Sequence, residues 1–221
     1  MLIAGLVIMA PLVMVMILVE ARGRPGPAYG VTKTLASIWF CVVGIVALDD
    51  VASTQASRPW FIAALLCSLL GDVLLIPKGR KRVFLAGLVA FLVAHALFIP
   101  AWSVRGLHTG VTAAIAVVVI IVSAVVLRWL RPHVKGPLWG AVVVYVVIIG
   151  AMLATAWGAV AHGATVSGGV TPALGGGALS FWCSDLFVAR QRFVRPGLVN
   201  RVVGIPLYYF GQLGLIAGCV G

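Results

Sequence analysis

Residues 67–76, Cys67-Ser68-Leu69-Leu70-Gly71-Asp72-Val73-Leu74-Leu75-Ile76, set one carboxylate in a run otherwise apolar enough to sit in lipid. Insertion scales charge an ionisable side chain at a helix centre about 2.5–3.5 kcal/mol, so such a group marks a functional position by default. Outward from this run, one other acid lies well inside an apolar stretch: Asp185, in Phe181-Trp182-Cys183-Ser184-Asp185-Leu186-Phe187. The chain reads as a membrane bundle built to hold these two carboxylates near each other.

Composition supports the lipid setting. Of 221 residues, 62% are hydrophobic and only 10% charged, and the mean hydropathy is +1.17. A water-soluble fold has too little interior for that much apolar surface. The net charge of +11 would point to nucleic acid in a soluble protein. Here the cations sit in short gaps between apolar runs with no separate basic face, so topology explains them and nucleic-acid binding is not expected. Cys41, Cys67, Cys183 and Cys219 fall inside apolar runs without a C-x-x-C spacing, which reads as buried thiols and not as a disulfide framework or a metal site.

Eight spans of roughly 20 residues follow, at about 2–20, 31–48, 59–76, 83–103, 110–128, 137–160, 172–190 and 202–220. The connections are short and carry Gly and Pro, so the expectation is an all-α, polytopic single transmembrane domain over residues 1–221. The first run has no basic residue before it and is expected to be a retained span. Of the 16 Lys and Arg, all but Arg58 and Arg105 fall in or beside the odd-numbered connections. That asymmetry predicts a multi-pass cell-membrane protein with both termini outside and the odd connections in the cytoplasm. At 1.5 Å per residue, Asp72 then lies ~9 Å from the inner end of its span, Asp185 at a similar depth, and His95 ~18 Å along span 4 from Arg82. Tyr145, Tyr208 and Tyr209 lie about two turns into spans 6 and 8, and Lys33 opens span 2. These groups come from six spans and converge only if they face the centre of one bundle.

An internal repeat is also visible. Asp72 is followed by a basic turn and Gly87-x-x-x-Phe91-x-x-x-His95; Asp185 is followed by a basic turn and Gly204-x-x-x-Tyr208-x-x-x-Gln212. The i, i+4, i+8 spacing puts each set on one helical face. Two four-helix halves in the same orientation, with the site at their interface, would produce it.

Several of these residues carry two readings. Asp72 alone also fits a structural acid paired with a loop cation, but two acids at matched depth favour chemistry. Two carboxyls sharing a site away from water do not both ionise, which sets a neutral acid beside an anion, as acid/base catalysis requires. Lys33 neutralises an acid, holds a lipid phosphate, or snorkels. His95 is a proton relay or an interhelical hydrogen bonder. The three tyrosines line a pocket or bond the acids, although interfacial anchoring is their commoner use. Gln212 bonds across helices. Glu20, Asp49 and Asp50 read as solvated flanks.

The run Ser68-Leu69-Leu70-Gly71-Asp72 with Gly87, Phe91 and His95 resembles the core motif of the YhhN family of membrane proteins, which includes the lysoplasmalogenases. The resemblance continues through Lys33, Ser184-Asp185-x-x-x-Ala189-x-x-x-Phe193 and Tyr208-Tyr209-x-x-Gln212. Thr34 and Phe98 depart from it, where family members commonly carry Pro and Tyr. The resemblance implies hydrolysis of the vinyl ether bond of a lysoplasmalogen to a fatty aldehyde and glycerophosphoethanolamine or glycerophosphocholine. Protonation of the alkenyl β-carbon gives an oxocarbenium ion, chemistry that paired carboxylates run in glycosidases without metal or cofactor. Asp72 and Asp185 would share the acid and base roles. Lys33, His95, Tyr145, Tyr208, Tyr209 and Gln212 would bind substrate, with Lys33 and nearby arginines on the phosphate. The expected partners are a lysophospholipid reaching the site from the cytoplasmic leaflet and bulk membrane lipid, with no obligate protein partner. The competing expectation is a lipid-binding or transport protein whose acids hold an amine headgroup or a proton. An intramembrane aspartyl protease would need Gly at position 70, which is Leu70.

Overall fold

A computed structural model describes residues 2–23, 26–49, 55–77, 79–136, 138–166 and 170–220. Eight α-helices account for nearly all of them: α1 (Leu2–Ala21), α2 (Pro27–Asp49), α3 (Arg58–Leu74), α4 (Lys81–Ser103), α5 (Thr109–Leu130), α6 (Leu138–Gly163), α7 (Pro172–Ala189) and α8 (Leu198–Val220), with a π turn over Arg190–Val194 between the last two. Among the described residues no strand occurs. With so few polar side chains, the backbone N–H and C=O groups are satisfied inside each helix, the only open-chain solution in lipid.

Six helices, α1, α2, α4, α5, α6 and α8, are long and apolar enough to cross a membrane. The expectation of eight spans is thus met for six. The two outside that set are α3 and α7, at 17 and 18 residues, and they carry the two aspartates. Helix α3 stops at Leu74, short of the breaking Pro77, and α7 spends its composition on Gly175, Gly176, Gly177, Ser180, Ser184 and Asp185. Those residues favour close helix contact over lipid solvation. Outward faces are apolar throughout: on α5, Val117, Val118, Ile120, Ile121 and Val125 are all exposed. Helix α2 begins at Pro27, not near residue 31, because Pro27 tolerates the first helical turn. Lys33 therefore lies nearly two turns inside the helix instead of at its mouth. Arg24 and Lys78, used for the topology, and Asp50, read as a solvated flank, fall outside the described residues.

Consecutive helices pack as α1·α2, α2·α3 and α3·α4, and again as α5·α6, α6·α7 and α7·α8. Across the middle, α2 meets α8 and α4 meets α6, so each half's second helix packs on the other half's fourth. Local contacts follow the same scheme. A Cβ on Gly87 would run into Leu74 and Leu75, and one on Gly204 into Phe187; Leu74 and Phe187 each lie two residues beyond an aspartate. One pairing breaks the pattern: α1 packs on both α2 and α8, whereas α5 packs extensively on α6 alone. The α7–α8 contact is the tightest, since Cβ atoms on Gly177, Gly211 or Gly218 would meet the facing backbone.

Candidate functional site

Two polar centres sit in the bundle, one around each aspartate. In the first, Asp72 (2% exposed) faces α2 and α8. Lys33 Nζ lies 3.0 Å from its Oδ1. Ser37 Oγ donates to Oδ2 at 2.7 Å, and Tyr208 OH donates to the same oxygen at 2.6 Å. Tyr209 OH donates to the Lys33 carbonyl at 3.2 Å and lies 3.3 Å from Ser37 Oγ. Gln212 Nε2 reaches Tyr208 OH at 3.4 Å. Burying an ion pair is tolerated only when further hydrogen bonds satisfy both charges. This cluster does so with two hydroxyls on one carboxylate oxygen and the ammonium on the other. Gly71 completes it: a Cβ there would lie 2.6 Å from the Phe91 ring, which packs beside Asp72 because position 71 has no side chain.

The second centre is sparser. Tyr145 OH of α6 donates to Asp185 Oδ2 at 2.8 Å. His95 of α4 brings Nε2 to 3.6 Å from the same oxygen. His95 Nδ1 lies 2.6 Å from the Phe91 carbonyl, which can only accept, so Nδ1 carries a proton. In the neutral ring Nε2 is then a bare acceptor aimed at Asp185. It is fully buried, with no hydrogen-bond partner among the described residues. Asp185 Oδ1 likewise has no hydrogen-bond partner among the described residues.

Asp185 also lines a cavity, which Asp72 does not. The cavity runs between α4, α5, α6 and α7 where α5 stands apart from α4, with free space of about 670 Å³ counted to its open mouth. Leu88, Val126, Val142, Ile149 and Trp182 form its apolar wall, Tyr145 and Asp185 its polar floor, and Arg192 its one cationic lining residue.

The structure thus brings Asp72 together with Lys33, Tyr208, Tyr209 and Gln212, and Asp185 with His95 and Tyr145. Among the described residues no side chain bonds both carboxylates. Ring contacts join the centres: Tyr208 meets Phe181 edge-to-face with centroids 5.1 Å apart, and Phe181 meets His95 at a tilt with centroids 4.7 Å apart. Lys33 is spent on Asp72, and its side chain is only 13% exposed. Glu20, expected as a solvated flank, is buried and ion-paired with Arg201, which ties the end of α1 to the start of α8. Asp49 does lie at the surface, 2.7 Å from Arg58.

Sequence reading missed Ser37 and Phe181. Ser37 stands one turn from Lys33 on the same face, a spacing that could have found it. Phe181 carried no polar signal. The sequence pattern of the YhhN family matches residues 30–219 of this chain. No curated protein and no solved structure matches it.

Proposed function

The chain belongs to the YhhN family, which is associated with lysoplasmalogenase-type hydrolases, and we propose that it hydrolyses the vinyl ether of a single-chain ether phospholipid with Asp185 as the reacting acid. The observation that carries this reading is a carboxyl that lines an apolar cavity with one oxygen open and stands 3.6 Å from a buried, unpartnered imidazole nitrogen. Asp185 and His95 hold one proton between them. The carboxyl gives it to the alkenyl β-carbon, and the positive charge that develops on the carbon beside the ether oxygen faces the carboxylate left behind. Water adds to that carbon, and its proton returns to the Asp185–His95 pair. The resulting hemiacetal collapses to aldehyde and a free glycerol hydroxyl, so one water is consumed and the acid is restored. Tyr145 holds Oδ2 and turns Oδ1 to the substrate. A dry, preorganised site strengthens each of these interactions.

Asp72 takes a different part. With Lys33, Ser37 and Tyr208 in place it is a fixed anion whose charge is matched, and through Tyr208 it anchors the line of ring contacts that reaches His95. A shared proton between the two aspartates is replaced here by one shared between Asp185 and His95. The cavity lies toward the end of the bundle that carries Arg192, which we assign to the cytoplasmic leaflet, with all eight helices embedded and both termini outside.

The test is release of free aldehyde from an alkenyl lysophospholipid by purified protein. Wild type should release it and Asp185→Asn should not. Binding of the lipid by wild type without aldehyde release would favour a lipid carrier.

A further inference from the structure

The cavity needs a headgroup ligand, and Lys33 is already spent on Asp72. Arg190 donates to Asn200 Oδ1 at 2.5 Å, Arg201 pairs with Glu20, and Arg131 lies over Trp139. Arg192 remains. Its Cζ sits 4.1 Å from the centroid of Phe84, itself a cavity residue. Among the described residues it has no carboxylate partner and donates no hydrogen bond. A guanidinium laid on a ring keeps its N–H edge available, and that planar fork matches a phosphate.

The position of Arg192 is built by the π turn. Arg195 N–H closes it on the Arg190 carbonyl at 2.8 Å, skipping the usual helical register. Asn200, 3% exposed, staples the turn: its amide donates to Gln191 Oε1 at 2.9 Å and to the Arg195 carbonyl at 2.8 Å. Gln191 Oε1 also accepts the Gly197 N–H at 2.8 Å. Single π turns within helices are rare and often fall at functional sites. This one follows α7 directly and sets Arg192 seven residues beyond Asp185, ~10 Å by helical rise. A glycerol unit and an extended arginine side chain bridge such a gap.

We propose that Arg192 is the phosphate-binding residue of the cavity and selects a phosphate-bearing single-chain lipid. The acyl or alkenyl chain runs inward along Leu88, Val126 and Ile149, the glycerol end meets Asp185, and the phosphate rests on Arg192 at the mouth. This rests on the reading of Asp185 as the reacting group, but its test does not need turnover.

Displacement of a fluorescent lysophospholipid from purified Asp185→Asn protein in nanodiscs, by lysophosphatidylcholine, monoacylglycerol or inorganic phosphate, measures binding alone. Arg192→Gln should weaken lysophosphatidylcholine about ten-fold or more, the worth of a charge-assisted hydrogen bond, and leave monoacylglycerol unchanged. Arg192→Lys should recover part of the loss. Arg82→Gln, an exposed cation that does not line the cavity, should change nothing. Inorganic phosphate should compete poorly, because it lacks the chain. In active protein Arg192→Gln should raise KM for the alkenyl lysophospholipid and spare the phosphate-free 1-alkenylglycerol. Equal losses for both lipids, an Arg82→Gln effect as large, or displacement by inorganic phosphate alone would overturn the proposal. Absence of aldehyde with binding selectivity intact would overturn the hydrolase reading and leave this one standing.

Discussion

The two halves of the bundle place an aspartate at the same point of the same motif and then treat it oppositely. In the first half α1 packs on α2 and α8, and Asp72 is sealed with an ammonium and two hydroxyls. In the second half α5 packs extensively on α6 alone, a cavity remains beside α4, and Asp185 keeps one donor and an open oxygen. A buried carboxylate with both oxygens hydrogen-bonded and its charge paired is a structural charge. One left under-bonded beside an empty imidazole nitrogen has capacity for proton transfer. The lesson is that one helix contact separates the two centres: where α1 reaches α8 the carboxylate is closed over, and where α5 stays off α4 a carboxylate oxygen is left open.

The sharpest way to break that division is to neutralise each acid in turn. Asp185→Asn should cut aldehyde release by roughly 10²–10⁴-fold, the range for a lost general acid, with the melting temperature little changed. Asp72→Asn leaves Lys33 buried without its counter-ion, which costs about 3–5 kcal/mol. Thermal unfolding in detergent should show that loss, and the double variant Lys33→Met/Asp72→Asn should recover part of it. If Asp185→Asn were the less stable of the two single variants, the assignment of anchor and reactant would be reversed.

Packing gives smaller contrasts. Gly71→Ala drives a methyl into the Phe91 ring and should destabilise by about 1–3 kcal/mol. Gly176→Ala meets open space and should be neutral or slightly stabilising by thermal shift. Leu88→Trp should fill the cavity and raise KM about ten-fold, the effect of one lost apolar contact in a pocket, while the melting temperature stays put.

Both acids were legible because an ionisable residue in an apolar run has few explanations. The helices were legible because their length and hydropathy leave little choice. The separation of the acids was not. Periodicity says which face Asp72 and His95 occupy, but not that Phe181 and Tyr208 would meet edge-to-face between the centres, since ring packing depends on which helices become neighbours. Glu20 looked solvated because it ends an apolar run, and only the approach of α8 brings Arg201 to it. Arg192 was one cation among many until the π turn set it at the cavity mouth, and no propensity in Arg190-Gln191-Arg192-Phe193-Val194 announces that turn. The early start of α2 was hidden by Gly26 and Pro27, which read equally well as a loop.

Everything turns on Asp185 doing chemistry in the open half. Aldehyde release from an alkenyl lysophospholipid, followed with purified wild type and Asp185→Asn of matched thermal stability, asks this directly. The account predicts release by the first and none above background by the second. Undiminished release by Asp185→Asn, or none by wild type, would contradict it.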